Sequence, residues 1–273
     1  MTESHTLEAA DLSVGYRDRR VISELDLAVR PGRITAIVGA NACGKSTLLR
    51  ALSRLLSPQE GRVVLDGRQV HRMPAKQLAR TLGLLPQSPI APDGITVADL
   101  VGRGRNPHRR ALSRWSYEDD EAVAAALEAT DALELADRAI DELSGGQRQK
   151  VWIAMVLAQR TDLLLLDEPT TFLDVAHQIE VLDLLADLNR DRGTTIVMVL
   201  HDLNLAARYA DHLVAMAGGA IQVEGRPEDV LTVDTVRTVF GLESRIVTDP
   251  TSGRPLMLPL GRHHTVGPDA GGE

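Results

Sequence analysis

A nine-residue stretch of mostly small residues constrains the fold of this chain more than any other feature. It fits the pattern GxxxxGK[ST] and follows the apolar run at residues 34–38: Gly39, Ala40, Asn41, Ala42, Cys43, Gly44, Lys45, Ser46 and Thr47. Such a loop joins a buried strand to a helix N-terminus, where backbone N–H groups and the helix dipole favour negative charge. The pattern therefore predicts a strand–loop–helix unit that binds a phosphate group.

The rest of the chain alternates between apolar strands and helical segments. Short apolar runs fall at residues 163–166, 196–200 and 213–216, with helix-forming stretches between them. This alternation predicts an α/β fold with a mainly parallel sheet and helices on both faces. Residues 7–32 alternate apolar and polar side chains, as antiparallel strands with one buried face do.

The residue composition and periodicity of the sequence change between residues 88 and 144. Prolines interrupt this span, and residues 118–129 follow a helical pattern with acidic side chains in the first turn. We interpret the span as a helical subdomain inserted into the core. Near the C-terminus, two apolar runs flank the Pro/Ser/Gly loop at residues 249–253, which predicts a hairpin followed by a flexible tail from Gly261.

Composition argues against several classes of protein. With 273 residues and 44% hydrophobic content, the chain is long enough to bury a large core. A formal net charge of −8 and 3% aromatic residues argue against a nucleic-acid-binding face. No apolar run approaches the roughly 18 residues of a membrane span, and the polar N-terminus does not resemble a signal peptide. The single cysteine, Cys43, permits no internal disulfide and indicates a reducing compartment.

Four further motifs follow the phosphate-binding loop. In chain order they are Gln87 after a strand-like run, Leu143-Ser144-Gly145-Gly146-Gln147, an apolar run ending in Asp167-Glu168, and His201 after another apolar run. With its five motifs in this order, the chain resembles the ATPase subunit of an ATP-binding cassette (ABC) transporter over most of its length. The resemblance implies a P-loop NTPase core, an N-terminal antiparallel β subdomain and the helical insertion at 88–144, together forming an ABC ATPase domain at 1–244. Residues 245–273 are then a C-terminal β-hairpin extension and flexible tail.

The resemblance implies two ligands, ATP and Mg²⁺, and a role for each residue around them. Lys45 reaches the β- and γ-phosphates, and the hydroxyl of Ser46 is a ligand of Mg²⁺. Asp167, at the end of a buried strand, holds Mg²⁺ directly or through water. Glu168 is the expected general base that orients or activates the attacking water.

Three assignments depend most on the resemblance. Gln87 corresponds to a residue that touches Mg²⁺ or water and links the core to the helical subdomain. His201 corresponds to a histidine that contacts the γ-phosphate. Tyr16 stands where the family places an aromatic ring against adenine, although a tyrosine near a strand end is often a packing residue. Without the resemblance, four other histidines fit the role of His201 equally well: His71, His108, His177 and His212.

One part of the phosphate-binding loop departs from the family pattern. The family most often has Pro-Asn-Gly where this chain has Ala40-Asn41-Ala42. Alanine in a conformation with positive φ costs on the order of 1 kcal/mol more than glycine. We therefore expect Ala42 not to adopt that conformation.

The LSGGQ motif predicts that one chain does not complete an active site. Ser144 is expected to be the N-cap of the following helix, whose first N–H groups are free to meet an anion. In this family, that helix terminus points at the γ-phosphate bound by the partner subunit. The resemblance thus implies a head-to-tail dimer of two copies around two ATP molecules, with the following residues in contact with the partner's ATP: Ser144, Gly145, Gly146, Gln147 and Asp174.

The resemblance also implies a transport role. The chain has one phosphate-binding loop and no room for long coiled coils, which leaves a transporter subunit bound to a membrane permease at the cytoplasmic face of the membrane, with no nucleic-acid partner. The groove near Gln87 is expected to receive a cytoplasmic helix of the permease. An arginine cluster in the insertion either meets the permease or anionic headgroups or is solvated: Arg103, Arg105, Arg109 and Arg110.

Three stretches are similar to ATPases of iron-chelate importers, namely residues 102–108, residues 169–174 and the C-terminal hairpin. The expected function is therefore uptake of ferric siderophores through a permease fed by an extracytoplasmic substrate-binding protein. The alternatives are import of another solute such as cobalamin or haem, export, and a non-transport regulatory cassette. The presence of Lys45, Glu168 and His201 argues against the regulatory cassette, since a degenerate cassette usually loses one of them.

Overall fold

The computed structural model describes residues 5–17, 19–109 and 115–261, in which strands and helices alternate. The strands are β1 (Leu7–Tyr16), β2 (Arg19–Val29), β3 (Ile34–Gly39), β4 (Glu60–Leu65), β5 (Arg68–Gln69), β6 (Leu82–Leu85), β7 (Leu163–Asp167), β8 (Thr195–Val199), β9 (His212–Ala217), β10 (Ala220–Gly225), β11 (Ser244–Thr248) and β12 (Pro255–Pro259). The α-helices are α1 (Lys45–Leu52), α2 (Ala75–Thr81), α3 (Val97–Gly102), α4 (Tyr117–Ala129), α5 (Gly145–Ala158), α6 (Val175–Arg192), α7 (Leu203–Tyr209), α8 (Pro227–Val230) and α9 (Val233–Phe240). Within these ranges, no helix combines the length and the apolar character that crossing a bilayer requires.

The antiparallel β subdomain expected from the N-terminal alternation is present. Strands β2, β1, β4 and β5 lie side by side in that order, and every neighbouring pair is antiparallel. In β2 the side chains of Leu25, Leu27 and Val29 are buried, and the residues between them are exposed. This period-two pattern packs one face of the sheet against α1 and the central sheet.

The central sheet is mainly parallel, as predicted. Its six strands follow the order β10-β9-β3-β8-β7-β6, and only β10 runs antiparallel to its neighbour. Every residue of β3, β7 and β8 is buried, which explains why their sequences are continuous apolar runs. The phosphate-binding loop, Gln87, Asp167 and His201 all lie at the carboxyl ends of these parallel strands, so the sheet brings them to one edge.

Two apolar clusters cover the two faces of the central sheet. Leu164 and Leu166 of β7 join a cluster formed with α3 to α6, whereas Leu163 and Leu165 join a cluster formed with α1 and the antiparallel sheet. Successive side chains of a strand point to opposite faces, so one continuous leucine run serves both clusters. The covering of both faces is what the strand–helix alternation predicted.

A buried ion pair stabilises the region between β6 and α5, where a helical insertion is predicted at residues 88–144. Arg105 Nε donates to Asp119 Oδ1 at 2.9 Å, and Arg105 Nη1 donates to the carbonyl oxygen of Ala158 at 3.0 Å. Burial pushes the pKa of Asp119 upward, but hydrogen bonds from Arg105 and Ser116 outweigh burial, and the pKa lies below its ordinary value. These contacts tie α4 to the C-terminal end of α5. The bounds of the insertion stay a prediction.

The position of Arg105 corrects the expected arginine cluster. Its side chain is 2% exposed and paired inside the protein, so it meets neither a permease nor solvent. The sequence did not reveal this because the carboxylate that pairs with Arg105 lies fourteen residues further along the chain, in α4. Arg103 is exposed, and Arg110 lies outside the described residues.

The predicted C-terminal hairpin is formed by β11 and β12, with Ser244 opposite Pro259 and Thr248 opposite Pro255. Asp249 orders the connecting turn, because its carboxylate accepts hydrogen bonds from Ser252 and Thr251. These hydrogen bonds lower the pKa of Asp249 to about 2. The tail predicted to be flexible lies, from residue 262 onward, outside the described residues.

Candidate active site

The phosphate-binding loop joins β3 to α1, as predicted. Lys45 is the first residue of α1, and its side chain is 5% exposed. Its Nζ donates to the carbonyl oxygens of Gly39 at 2.8 Å and Ala40 at 3.0 Å, so the ammonium group is held inside the curl of the loop. Gly44 at the N-cap has no side chain to cap the helix. The first N–H groups of α1 are therefore left to bind an anion.

The expectation for Ala42 is wrong. Ala42 has φ of 62°, in the left-handed region. The N–H of Cys43 donates to the carbonyl oxygen of Ala40 at 3.4 Å, which closes a four-residue turn with Ala42 in its third position. A type II turn requires positive φ at that position. The turn geometry of the loop, not the preference of alanine, decides the backbone conformation.

Close packing under the loop leaves no room for a side chain at Gly39. A Cβ atom at this position would lie 2.3 Å from the carbonyl oxygen of Met216 and 2.7 Å from Cys43 Sγ. The Cys43 side chain itself is buried in the apolar cluster that contains α1. Cys43 Sγ lies 4.0 Å from Lys45 Nζ, and the backbone carbonyl oxygen of Cys43 accepts a hydrogen bond from Gly219 N–H at 3.1 Å.

Ser46, Asp167 and Gln87 place oxygen atoms at the carboxyl edge of the sheet. Ser46 Oγ donates to Asp167 Oδ1 at 2.9 Å. Burial raises the pKa of Asp167, and the hydrogen bond from Ser46 opposes that rise. Gln87 lines the same cavity as Ser46, beyond the end of the neighbouring strand β6. Hydroxyl, carboxylate and amide oxygens are ligands of the type that Mg²⁺ prefers, so this donor set fits Mg²⁺.

Histidine and cysteine side chains do not form a comparable metal-binding group among the described residues. No group of three or more His, Cys, Asp or Glu side chains suited to a metal ion occurs among the described residues. The donor atoms at Ser46, Asp167 and Gln87 are oxygens, whereas a softer metal such as Zn²⁺ selects nitrogen and sulfur ligands. This donor set leaves most of the coordination of a hard cation to water and to phosphate oxygens.

Glu168 and His201 are in direct contact. His201 Nε2 lies 2.7 Å from Glu168 Oε1, and Thr171 Oγ1 donates to Glu168 Oε2 at 3.2 Å. Glu168 is 7% exposed and has φ of 56°, a conformation that a non-glycine residue adopts only where its surroundings impose it. Such backbone strain is concentrated at functional sites. The buried glutamate is therefore held in one orientation beside a half-exposed histidine.

One open cavity of about 910 Å³ brings most of the predicted residues together, and its size suits a ligand as large as a nucleotide. The predicted residues that line it are Tyr16, Asn41, Ala42, Gly44, Lys45, Ser46, Thr47, Gln87, Glu168 and His201. Gly39, Ala40, Cys43 and Asp167 do not line the cavity and lie beside residues that do. The ring of Tyr16 is 42% exposed, and its hydroxyl accepts a hydrogen bond from Arg50 Nη1 at 2.8 Å.

Five residues of the cavity lining were not predicted, namely Arg19, Arg20, Val21, Gly218 and Gly219. The two arginines form a basic pair close to Tyr16 in the sequence, so the sequence contained a signal that could have placed them in the cavity lining. The glycines form the turn between β9 and β10, far from the loop in sequence. A Cβ on Gly219 would lie 2.0 Å from the carbonyl oxygen of Val21, so the turn packs tightly against β2. Nothing in the sequence connects this turn with the phosphate-binding loop.

The LSGGQ motif lines a second cavity, of about 780 Å³, which shares no residue with the first. Ser144 is the N-cap of α5, as predicted: its Oγ accepts from Gln147 N–H at 3.2 Å, and Gln147 Oε1 accepts from Ser144 N–H at 3.1 Å. Gly146 and Asp174 also line this cavity, and Gly145 lies between lining residues. A single chain thus keeps Lys45 and Ser144 in separate cavities.

Together, the fold and the first cavity define an ATPase of the P-loop class. The sequence profile of the ABC transporter family matches residues 22–171, more than half of the chain. The chain belongs to the ABC transporter family, as its ATPase domain.

Curated relatives match along nearly the whole chain. The protein named "Probable siderophore transport system ATP-binding protein YusV" from Bacillus subtilis (strain 168) is 56% identical over 251 residues, which cover 92% of this chain and 91% of the relative. The ferric enterobactin transport ATP-binding protein FepC from Escherichia coli (strain K12) is 50% identical over 263 residues, which cover 96% of this chain and 97% of the relative.

Solved structures show the same fold. A metal-chelate type ABC transporter in an inward-facing conformation matches with a TM-score of 0.81 and 29% identity, covering 95% of this chain and 98% of that chain. A dimeric, post-hydrolysis ATP-binding cassette, MJ0796, bound to ADP and Pi matches with a TM-score of 0.73 and 25% identity, covering 81% of this chain and 98% of that chain. ATPase domains of this family bind ATP, form dimers and act with a membrane permease.

Proposed function

We propose that this chain is the ATP-hydrolysing subunit of an importer that takes up ferric siderophores. The observation that carries the proposal is the single cavity in which Lys45, Glu168 and His201 converge. The names of the two relatives, siderophore transport and ferric enterobactin transport, support the cargo. We place the subunit on the cytoplasmic face of the membrane, bound to a permease that receives its cargo from an extracytoplasmic substrate-binding protein.

Lys45 and the N-terminus of α1 hold the phosphates of ATP in this proposal. A lysine ammonium has three N–H donors, and Lys45 uses two of them on the carbonyl oxygens of the loop. The third points at Cys43 Sγ, 4.0 Å away, a weak acceptor that the β- and γ-phosphates would replace. Tyr16 presents its exposed ring to the adenine, and Arg50 fixes the hydroxyl end of that ring.

Mg²⁺ is held by Ser46, by Asp167 directly or through water, and by Gln87. Bound Mg²⁺ would supply positive charge against the negative charge of the phosphate oxygens. Ser46 remains oriented by its contact with Asp167 Oδ1, which leaves a lone pair of the hydroxyl oxygen for the ion. Gln87 lies at the start of the segment that leads into the helical insertion, so its position links the ligand to that region.

Glu168 accepts the proton of the water that attacks the γ-phosphate. The oxygen of that water forms a new bond to phosphorus, the bond between the γ-phosphorus and the bridging oxygen breaks, and ADP and phosphate are the products. His201 contacts the γ-phosphate from its half-exposed position. The 2.7 Å contact between His201 Nε2 and Glu168 Oε1 brings the two side chains together before ATP arrives.

A second copy of the chain completes the site. Ser144 and the other exposed groups at the N-terminus of α5 line a different cavity from Lys45, so they reach an ATP molecule bound to the phosphate loop of another copy. Asp174, the N-cap of α6, lines the same second cavity. ATP then joins two copies head to tail, and its hydrolysis releases them.

The dimer is tested with Glu168→Gln, which keeps the shape of the side chain but removes the base. We expect this variant to bind ATP and remain a stable dimer with ATP and Mg²⁺ on a sizing column. Lys45→Ala is expected to lose ATP affinity in calorimetry. Glu8→Gln, at an exposed carboxylate on β1, is the matched control and should behave as the wild type. A Glu168→Gln protein that hydrolyses ATP normally would contradict the assignment of the base, and one that stays monomeric with ATP would contradict the head-to-tail dimer.

A further inference from the structure

We infer that the C-terminal hairpin positions His201 for ATP hydrolysis, and that Asn204 is the residue through which it acts. The inference rests on the role proposed above for His201. Asn204 is not among the described residues that line the first cavity. It is a positioning residue that connects the last strand of the described chain to the helix that begins just after His201.

Asn204 binds both backbone groups of one residue in β12. Its Oδ1 accepts from Met257 N–H at 2.7 Å, and its Nδ2 donates to the carbonyl oxygen of Met257 at 3.1 Å. The side chain thus pairs with the edge of β12 as a neighbouring strand would. Two short hydrogen bonds from one planar amide fix the distance and the orientation of α7 relative to the hairpin.

The first turn of α7 transmits this restraint to His201. Asp202 is the N-cap of α7, and its Oδ1 accepts from the N–H groups of Asn204 at 2.8 Å and Leu205 at 2.9 Å. On the other side of His201, Leu200 N–H donates to the carbonyl oxygen of Ile37 in β3 at 3.2 Å. The backbone of His201 is therefore held on one side by the central sheet. On the other side it is held by the first turn of α7, which is itself bound to the hairpin.

The hairpin is itself anchored, so it acts as a fixed support. Arg254 Nη1 donates to Glu228 Oε1 in α8 at 2.7 Å, and Leu260 N–H donates to the carbonyl oxygen of Glu243 at 2.8 Å. Ile246 and Met257 pack against the apolar cluster that is formed with α3 to α6. A hairpin attached at several points can therefore restrain α7.

The contacts predict which step of the reaction depends on the hairpin. Lys45 and Tyr16, which bind ATP in the proposed function, form their side-chain hydrogen bonds with the phosphate-binding loop and with Arg50, and not with Asn204, among the described residues. Releasing α7 from β12 should therefore leave ATP binding unchanged and misplace His201 during hydrolysis. The effect should appear in kcat and not in KM.

The test compares Asn204→Leu with Asn189→Leu in the full-length protein. Asn189 is a matched control: it is also partly buried, and its Nδ2 donates to two carbonyl oxygens, of Gly32 at 3.1 Å and Thr194 at 2.7 Å, away from His201. Both variants should lower the melting temperature. Only Asn204→Leu should lower kcat, by about tenfold. This is smaller than the loss of about 100-fold in rate that a 1 Å misplacement of a catalytic group can cause. The KM of Asn204→Leu for ATP should stay within about twofold of the wild type, the change expected when only transition-state contacts are lost.

Two further measurements keep the inference falsifiable. Asn204→Asp retains the acceptor for Met257 N–H but sets a carboxylate oxygen against the Met257 carbonyl oxygen, so it should also lower kcat, and it replaces Asn204→Leu if the leucine protein does not fold. Combined with Glu168→Gln, Asn204→Leu should still give the ATP-bound dimer. The inference is overturned if Asn204→Leu lowers kcat no more than Asn189→Leu, or if it raises KM instead. His201→Ala separates the two claims, since an unchanged kcat in that variant would refute the proposed role of His201 itself.

Discussion

Replacing Ala42 with glycine should stabilise this protein, although the substitution removes a side chain and loosens the unfolded chain. Ala42 has φ of 62° in the turn of the phosphate-binding loop, and its side chain is exposed. A left-handed conformation costs an L-residue about 1–2 kcal/mol, which glycine does not incur. The greater freedom of glycine in the unfolded state costs about 0.4–1 kcal/mol. The net gain should be about 0.5–1 kcal/mol, because an exposed methyl group buries little apolar surface.

The assay is urea denaturation without nucleotide, with thermal unfolding as a second readout. For a chain of this length, the gain corresponds to a rise of about 1–3 °C in melting temperature. Ala40→Gly is the matched control, since Ala40 is also exposed in the loop but is not among the described residues with positive φ. That variant has no strain to relieve and should be destabilised by about 0.4–1 kcal/mol.

Opposite signs for the two alanines are the essential result. If Ala42→Gly destabilises the protein as much as Ala40→Gly does, the left-handed conformation carries no energetic cost in this loop. The explanation of the turn given above would then be refuted.

Two other predictions concern charged side chains away from the cavity. Arg105→Met should destabilise the protein by about 3–5 kcal/mol in urea denaturation, because it leaves the Asp119 carboxylate buried without its partner; a change below about 1 kcal/mol, typical of an exposed pair, would contradict the buried pair. Asp249→Asn tests the hairpin turn through the pH dependence of stability. Hydrogen bonds lower the pKa of Asp249 from 3.8 to about 2, so its ionised carboxylate stabilises the fold above pH 3.8. This stabilisation is lost as pH falls toward 2. The difference in stability between wild type and Asp249→Asn should therefore shrink between pH 4 and pH 2, and a difference that stays constant over this range would contradict the assignment.

The sequence was sufficient where a local pattern determines a local structure. The continuous leucine run before Asp167 predicted a buried parallel strand, and the serine before Gly145 predicted a helix N-cap, since both depend on neighbouring residues alone. The order of five motifs then predicted which side chains meet at the carboxyl edge of the sheet. The structure brings Lys45, Glu168 and His201 to one cavity, while their roles in hydrolysis stay predictions.

The features that the sequence did not reveal depend on contacts between distant segments. The positive φ of Ala42 follows from a turn closed by the loop as a whole, whereas alanine by itself disfavours that conformation. Arg105 looked like a member of an exposed basic cluster because its partner Asp119 belongs to another helix. Gly219 reaches Cys43 of the phosphate-binding loop from a turn 176 residues further along the chain. Asn204 carries no motif, and only the position of β12 gives it a role.

Uptake of labelled ferric siderophore is the most direct test of the proposed function. The measurement compares cells whose only copy of this subunit carries Glu168→Gln with wild-type cells, and labelled cobalamin is followed in parallel. Loss of siderophore uptake with normal cobalamin uptake is the predicted result, because transport then requires the hydrolytic glutamate of this chain for that cargo. Loss of cobalamin uptake alone would show that the cargo is cobalamin and not a ferric siderophore. Normal entry of both solutes would contradict the assignment of this chain to an importer.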